Sequence, residues 1–350
     1  MGGPGAGGAT AETARQALLL ATQALGVNAA AVREAREERD AMIGMSVHFA
    51  AQSGHADFLG RLLAAGADKH IADMMSNSNS ETAVHAAARH PRPTCLRLLL
   101  DAGADADKAD RIGNTPVHAA AKHDRPDCLR LLLDAGANSD STDRNGETAV
   151  HAAAKHDKPD CLRLLLDAGA DNDRAGRNGI TPVYYAASNG SASCLRLLLE
   201  AGADPDTATR SEMRVYTAPV HIAIAQGNAD CLRLLLEAGA DTNKANGHGR
   251  TPKHIAAQST RADCLGLLLE TGADKDKKDS YGCAPIHIAA ESMCYKCLSL
   301  LLEAGADASA RTRNGQTALE LAERLGDYRN NYVAGRVVGL LRQHTPPGAL

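Results

Sequence analysis

Tryptophan is absent from this chain of 350 residues, phenylalanine occurs twice, and aromatic residues make up only 3% of it, although hydrophobic residues reach an ordinary 44%. A single large core draws on bulky aromatic fillers, so the composition points instead to thin layers of Leu, Ala and Cys. No run approaches the roughly 18 consecutive apolar residues of a membrane helix, so membrane insertion is not expected. The opening Met1-Gly2-Gly3-Pro4-Gly5 lacks the basic region and apolar stretch of a secretory signal. Ala6 stands where N-myristoylation calls for Ser or Thr. An intracellular protein, cytoplasmic by default, is the expectation. The formal net charge of −4 is small for this length, so the overall field implies neither nucleic acid nor an anionic membrane as a partner. No Gly-rich phosphate loop follows a strand pattern, and no acid, base and nucleophile recur together. Neither enzymatic activity nor a cofactor is expected.

What is present is repetition. A histidine recurs at His48, His85, His118, His151, His221, His254 and His287, with Tyr184 holding the place once, and every spacing is 33 except two of 37. Glycines keep step at Gly66, Gly103, Gly136, Gly169, Gly202, Gly239, Gly272 and Gly305. Self-similarity at a fixed period of this size marks a solenoid. Within one unit, Thr115 is a good N-cap and Pro116 suits the first helical position, where its missing N–H would be unsatisfied anyway. Ala119 and Ala120 give that first helix a smooth face. Cys128, Leu129, Leu131, Leu132 and Leu133 make a second helix apolar around most of its circumference, as a buried layer requires. Gly136 falls where a left-handed residue ends a helix, and Asp143-Arg144-Asn145-Gly146 reads as turn chemistry leading to Thr148. Each unit is turn, helix, turn, helix, with the two helices antiparallel.

Thr115-Pro116-Val117-His118-Ala119-Ala120 and Thr181-Pro182-Val183 resemble the T-P-L-H-x-A signature of ankyrin repeats, and the resemblance extends over roughly residues 40 to 342. It implies an all-α solenoid of stacked helix-turn-helix units with turn or hairpin tips. It also implies a non-catalytic scaffold or adaptor that meets a protein partner on the concave side, formed by the turn tips and the outer residues of the first helices. A stoichiometric inhibitor or targeting subunit of an enzyme is the alternative. The expected organisation is a Gly/Ala-rich tail at 1–9, a helical cap at 10–45, eight repeats at 46–316, a capping repeat at 317–343 and a tail at 344–350. The cap reads as helices from Ala11 to Leu25 and Ala29 to Met42. The last unit carries Glu320 in place of histidine and ends in a helix from Val333 to Leu341. A monomer is expected.

Seven of the nine cysteines, Cys95, Cys128, Cys161, Cys194, Cys231, Cys264 and Cys297, share one register position at the start of the second helix. Helices packed about 8–10 Å apart hold such residues beyond disulfide reach, so they read as buried reduced thiols. Cys283, His287, Cys294 and Cys297 put four zinc-type ligands within fifteen residues. The register spreads them over a turn and two helices, with His287 and Cys294 about 10 Å apart along the rise, which argues against one tetrahedral ion and leaves metal or enzymatic chemistry there the least favoured reading. The histidine ladder reads as structural, bonding the adjoining turn and the Thr of its box.

Function is then carried by what varies between units. Arg89, Lys122-His123 and Lys155-His156 end the first helices of the second to fourth repeats, and Arg111, Arg144 and Arg177 sit at the turn tips. Together they predict a positive stripe that would favour a partner with an acidic surface. A merely solvated face is the plainer reading of the same residues. Arg97 with Asp101, Arg130 with Asp134, Arg163 with Asp167, Arg196 with Glu200 and Arg233 with Glu237 are i,i+4 pairs on second helices and read as helix support. Two four-residue insertions lengthen the tips near 73–80 and 210–216. Met213 and Tyr216 in the second are candidate partner anchors, with Tyr216 close enough to pack on Tyr184 and Tyr185.

Overall fold

The computed structural model describes residues 46–70, 80–210, 216–329 and 332–345. The expected tail at 1–9, the expected cap at 10–45, most of the first insertion, Met213 and residues 346–350 lie outside the described residues.

Helices follow one another in pairs. A helix over 46–53 (α1) precedes α2 (Ala56–Ala64). Next come α3 (Ala83–Arg89) with α4 (Pro93–Asp101), α5 (Pro116–Lys122) with α6 (Pro126–Asp134), and α7 (Ala149–Lys155) with α8 (Pro159–Asp167). They are followed by α9 (Pro182–Asn189) with α10 (Ala192–Glu200), α11 (Pro219–Gln226) with α12 (Ala229–Glu237), and α13 (Pro252–Gln258) with α14 (Ala262–Glu270). The array ends in α15 (Pro285–Glu291) with α16 (Tyr295–Glu303), and α17 (Ala318–Arg329) with α18 (Tyr332–His344). First helices pack on first helices and second helices on second helices, so each unit rests only on its neighbours. The layer between them is made as the composition demands. Val117, Ala120, Ala121, Cys128, Leu129 and Leu132 of one unit are each at most 1% exposed, and their counterparts repeat this along the chain. Leu131 and Leu133 are half-buried.

Glycine is required at two kinds of position. Gly136 ends the α6 turn at φ +84°, the left-handed conformation expected there. At Gly113, φ +88°, a β-carbon would lie 2.8 Å from the Arg144 nitrogen, because the next tip closes onto it.

Five histidines of the ladder staple their units to the next. The Thr115 N–H donates to Nδ1 of His118 at 3.1 Å, with the Thr115 hydroxyl 2.9 Å from the same nitrogen. That nitrogen is therefore bare, and Nε2 carries the proton it donates to the Glu147 carbonyl of the next unit at 3.0 Å. His85 reaches the Asn114 carbonyl at 2.9 Å, His151 that of Ile180 at 3.1 Å and His254 that of Cys283 at 2.8 Å in the same way. In the terminal box Glu320 replaces the histidine. Its carboxylate accepts the Thr317 N–H at 2.7 Å, and its own N–H donates to the Thr317 hydroxyl at 3.3 Å. An ion pair between Arg342 and Glu323 at 2.7 Å ties α18 to α17.

A second staple runs through the tips. The Asp110 carboxylate accepts the N–H groups of Ile112 and Asn114, and Asp143 those of Asn145 and Glu147, forming tight Asx turns. Arg144 N–H then donates to the Ile112 carbonyl at 3.0 Å and Arg177 N–H to that of Asn145 at 2.6 Å. The pattern resumes with Ser280 on His248 and Arg313 on Tyr281. Between these two runs stands the second long tip, where β1 (Thr209–Arg210) pairs antiparallel with β2 (Tyr216–Thr217), Thr209 opposite Thr217. Tyr184 has no ring nitrogen to offer here, so its backbone N–H is capped directly by the Thr181 hydroxyl at 3.3 Å.

Two details depart from expectation. None of the five Arg/Asp or Arg/Glu pairs on the second helices closes to an ion pair among the described residues. Their arginines are exposed, where fixing a long side chain gains little in water. The other departure is Lys253, which occupies the place of Val117, Val150, Val183, Val220 and Ile286. It is 0% exposed, and its ammonium has no hydrogen-bond partner among the described residues. Burial pulls the amine down to about 8, against the opposing pull of Asp274. Lys253→Met is expected to stabilise the fold by about 1–3 kcal/mol at pH 7, the cost of an unsatisfied buried polar group. Because the folded amine binds its proton less tightly than the unfolded one, that gain should shrink as pH rises from 8 towards 10, a trend that denaturant midpoints of both proteins will show.

Candidate functional site

The varied side chains of the second to fourth repeats converge where the first helices end beneath the tips. Arg89 ends α3, Lys122 ends α5 and Lys155 ends α7, one above the other, followed by His90, His123 and His156 as each helix stops. With the Asx turns of Asp110 and Asp143 they enclose an open groove of about 240 Å³. Its lining includes Glu81, Asp110, Ile112, Asp143 and Glu147 besides Arg89, Lys122, His123, Lys155 and His156. The predicted positive stripe is therefore one edge of a mixed-charge groove in which three fixed cations face four carboxylates.

The acids divide the cations into two classes. Arg89 is half-buried and ion-paired with Glu81. Lys155 lies 3.6 Å from the Glu147 carboxylate and 4.5 Å above the Tyr185 ring. The Tyr185 hydroxyl donates to that same carboxylate, and its proton is held tightly by burial and by Glu147. Tyr185 thus faces the preceding unit, its ring nearly perpendicular to that of His151 with the centroids 6.3 Å apart. The Arg177 guanidinium spends a donor on the Arg144 carbonyl at 3.4 Å. Lys122, Arg111 and Arg144 are exposed and make no ion pair among the described residues. They are the cations of the predicted stripe that stay outside any ion pair or side-chain hydrogen bond among the described residues.

The imidazoles along the groove are neutral at physiological pH. Burial, then Arg89, Lys122, Arg125 and His156, pulls His123 down to about 4. His156 is lowered by burial and then by Lys122, Lys155 and Lys158, and His90 by burial and its neighbouring arginines. His123 and His156 each offer one donor and one acceptor beside the uncommitted Lys122, an arrangement suited to hydrogen-bonding a polar chain.

Of the residues expected from the sequence, Arg89, Lys122, His123, Lys155 and His156 come together in the groove, and Arg111, Arg144 and Arg177 lie on the adjoining tips. Not expected from the sequence are the acids, Ile112, which stands 41% exposed on a tip at the groove rim, and Tyr281, 59% exposed on a later tip. The signal was the residue before each tip glycine. The side chains of Met213 and Tyr216 lie outside the described residues.

The other chemical clusters are engaged internally. Both ring nitrogens of His287 are committed, Nδ1 accepting the Ala284 N–H at 3.1 Å and Nε2 donating to the Ala310 carbonyl at 2.9 Å. No three His, Cys, Asp or Glu side chains converge on a metal position among the described residues. The seven ladder cysteines are buried free thiols. Cys128 donates to the Ala87 carbonyl at 3.7 Å and Cys161 to that of Ala120 at 3.8 Å. Among the described residues no helix is long and apolar enough to cross a membrane.

Comparison with known proteins agrees with this architecture. Models of ankyrin repeats match residues 47–143, 135–209 and 210–279, and a single ankyrin repeat matches residues 281–313. The crystal structure of the human ASB11 ankyrin repeat domain is similar at a TM-score of 0.58 with 29% identity, covering 67% of this chain and 100% of that one. In all, 589 chains of solved structures match, a likeness too widely shared to select a partner. No curated protein matches. Ankyrin repeats are generally protein–protein interaction modules, and the fold is typically non-catalytic. With family models spanning all but one of the residues between 47 and 313, the chain belongs to the ankyrin repeat family.

Proposed function

We propose that this protein is a non-catalytic scaffold or adaptor that holds a protein partner in the groove of the second to fourth repeats. The observation that carries the reading is the contrast at the groove: Arg89 and Lys155 are neutralised by Glu81 and Glu147, whereas Lys122, beside the neutral His123 and His156, and Arg111 and Arg144 on the adjoining tips stand outside any ion pair. An intramolecularly balanced floor with free cations at its edge suits a polar segment whose carboxylates meet those cations, and Ile112 supplies an apolar contact at the rim.

Replacing Arg111, Lys122 and Arg144 together by Glu tests this. All three are exposed and unpaired, so the thermal midpoint should stay near that of the wild type. Capture of the partner from the source-cell lysate should fall by about tenfold or more at low ionic strength, with the difference narrowing as salt is raised. Equal capture by the two proteins at every salt concentration would remove the groove from the account.

A further inference from the structure

The eighth repeat differs from the others in its sulfur chemistry. The residue that caps the second helix is Arg92, Arg125, Lys158, Ser191, Asn228 or Arg261 in earlier repeats, but Cys294 here. Cys297, of the buried ladder, stands three residues on, inside the first helical turn. Its backbone N–H donates to the Cys294 sulfur at 3.3 Å, so the two cysteines share one capping interaction. Helix radius and rise put residues three apart about 5 Å from each other between Cα atoms, inside the roughly 4.4–6.8 Å window of a disulfide.

The two thiols are also chemically unequal. Cys294 is half-buried, and hydrogen bonding from the Cys297 thiol and from the N–H groups of Cys297 and Lys296 holds it below the ordinary thiol range. Cys297 is fully buried and pushed upwards by its hydrogen bond to Cys294 and by burial. The rest of the ladder is inert by comparison: Cys128 is raised by burial, and Cys161 and Cys194 are pushed up to about 12. Cys283, the remaining half-buried thiol, is raised by burial and by Asp279 and Glu291.

We propose that Cys294 and Cys297 form a reversible disulfide when the protein meets hydrogen peroxide, with Cys294 as the attacking sulfur and Cys297 as the resolving one. The Cys294 thiolate attacks one peroxide oxygen, the O–O bond breaks, and the departing hydroxide takes a proton and leaves as water. The sulfur is now a sulfenic acid, oxidised by the two electrons that peroxide has accepted. The Cys297 thiol gives up its proton and attacks the Cys294 sulfur, forming the S–S bond and expelling hydroxide, which leaves with that proton as a second water. A dithiol reductant restores both thiols by exchange and is itself oxidised to a disulfide. The site sits where the array closes, because Tyr295, between the two cysteines, stacks under Arg336 of α18 at 4.1 Å.

The test uses the full chain, treated with stoichiometric hydrogen peroxide at pH 7, alkylated and digested for mass spectrometry. The expected product is one peptide that contains Cys294 and Cys297, lacks two hydrogen atoms and carries no alkyl group, with the other cysteines alkylated and the change reversed by dithiothreitol. Without peroxide, Cys294 should alkylate about tenfold or more faster than Cys128, as its greater thiolate fraction and exposure require. Cys297→Ala should trap a sulfenic acid on Cys294 that a dimedone probe labels. Cys294→Ser, a change at a half-buried position, should abolish peroxide consumption by the thiols. Oxidation that falls first on Cys283, oxidation that gives only disulfide-linked dimers, or a Cys294 that alkylates no faster than Cys128 would overturn the proposal.

Discussion

Truncating Leu132 to alanine is expected to cost about 2–5 kcal/mol and to split one unfolding transition into two. Leu132 is 0% exposed, between α5 and the neighbouring second helices, and in a thin layer no second shell of side chains can move in to fill the void. An array whose units touch only their neighbours has no other route for cooperativity, so a weakened layer in the third repeat separates the repeats before it from those after it. Native-state hydrogen exchange should show faster exchange in α3 to α6 and little change in α13 to α16. Uniformly faster exchange along the chain would mean that the repeats are coupled more globally than their packing implies.

The second large effect is acid sensitivity. His85, His118, His151, His254 and His287 are all lowered, first by burial, and His221 is brought down to about 4. Above pH 6.5 these rings are neutral whether the chain is folded or not, and the ladder contributes its full stability. As pH falls below 6.5 the unfolded chain takes up protons that the folded chain refuses, so stability declines, and for His221 the decline continues to about pH 4. Each refused proton removes up to about 1.4 kcal/mol per pH unit. Six acting together approach the total stability of an ordinary domain, about 5–15 kcal/mol. Thermal midpoints should therefore change little between pH 7.5 and 6.5 and fall steeply between 6 and 5. His151→Gln keeps the capping box and removes one titrating ring, so its slope should be shallower by one proton. A wild-type midpoint that does not move over this range would show that the rings accept protons in the folded state.

The repeat architecture was legible because the same boxes return in register. A Thr cap, a Pro at the first helical position and a left-handed Gly each specify local geometry, and eight copies leave one arrangement that satisfies all of them. The groove was legible only in part. Lys122 and Lys155 are the same residue type in the same register, yet one is unpaired and the other is held by Glu147 and Tyr185. The pairing follows Glu147, eight residues before Lys155, where Asn114 stands before Lys122, and Tyr185 of the following unit reinforces it through stacking. The pairs on the second helices failed for the converse reason: their i,i+4 spacing is right, but both ends stand in water. Lys253 interrupts a run of Val and Ile in the sequence, and only its packing shows that the amine has no way out to solvent.

Partners are expected to meet the face where first helices and tips converge. A photo-reactive residue placed at position 122, in the groove, or at position 130, on the exposed side of α6, tests it directly in the source-cell lysate. A discrete crosslinked species is expected from position 122, lost when Arg111 and Arg144 are reversed to Glu, and none from position 130. Crosslinking from position 130 alone, or equally from both, would contradict it.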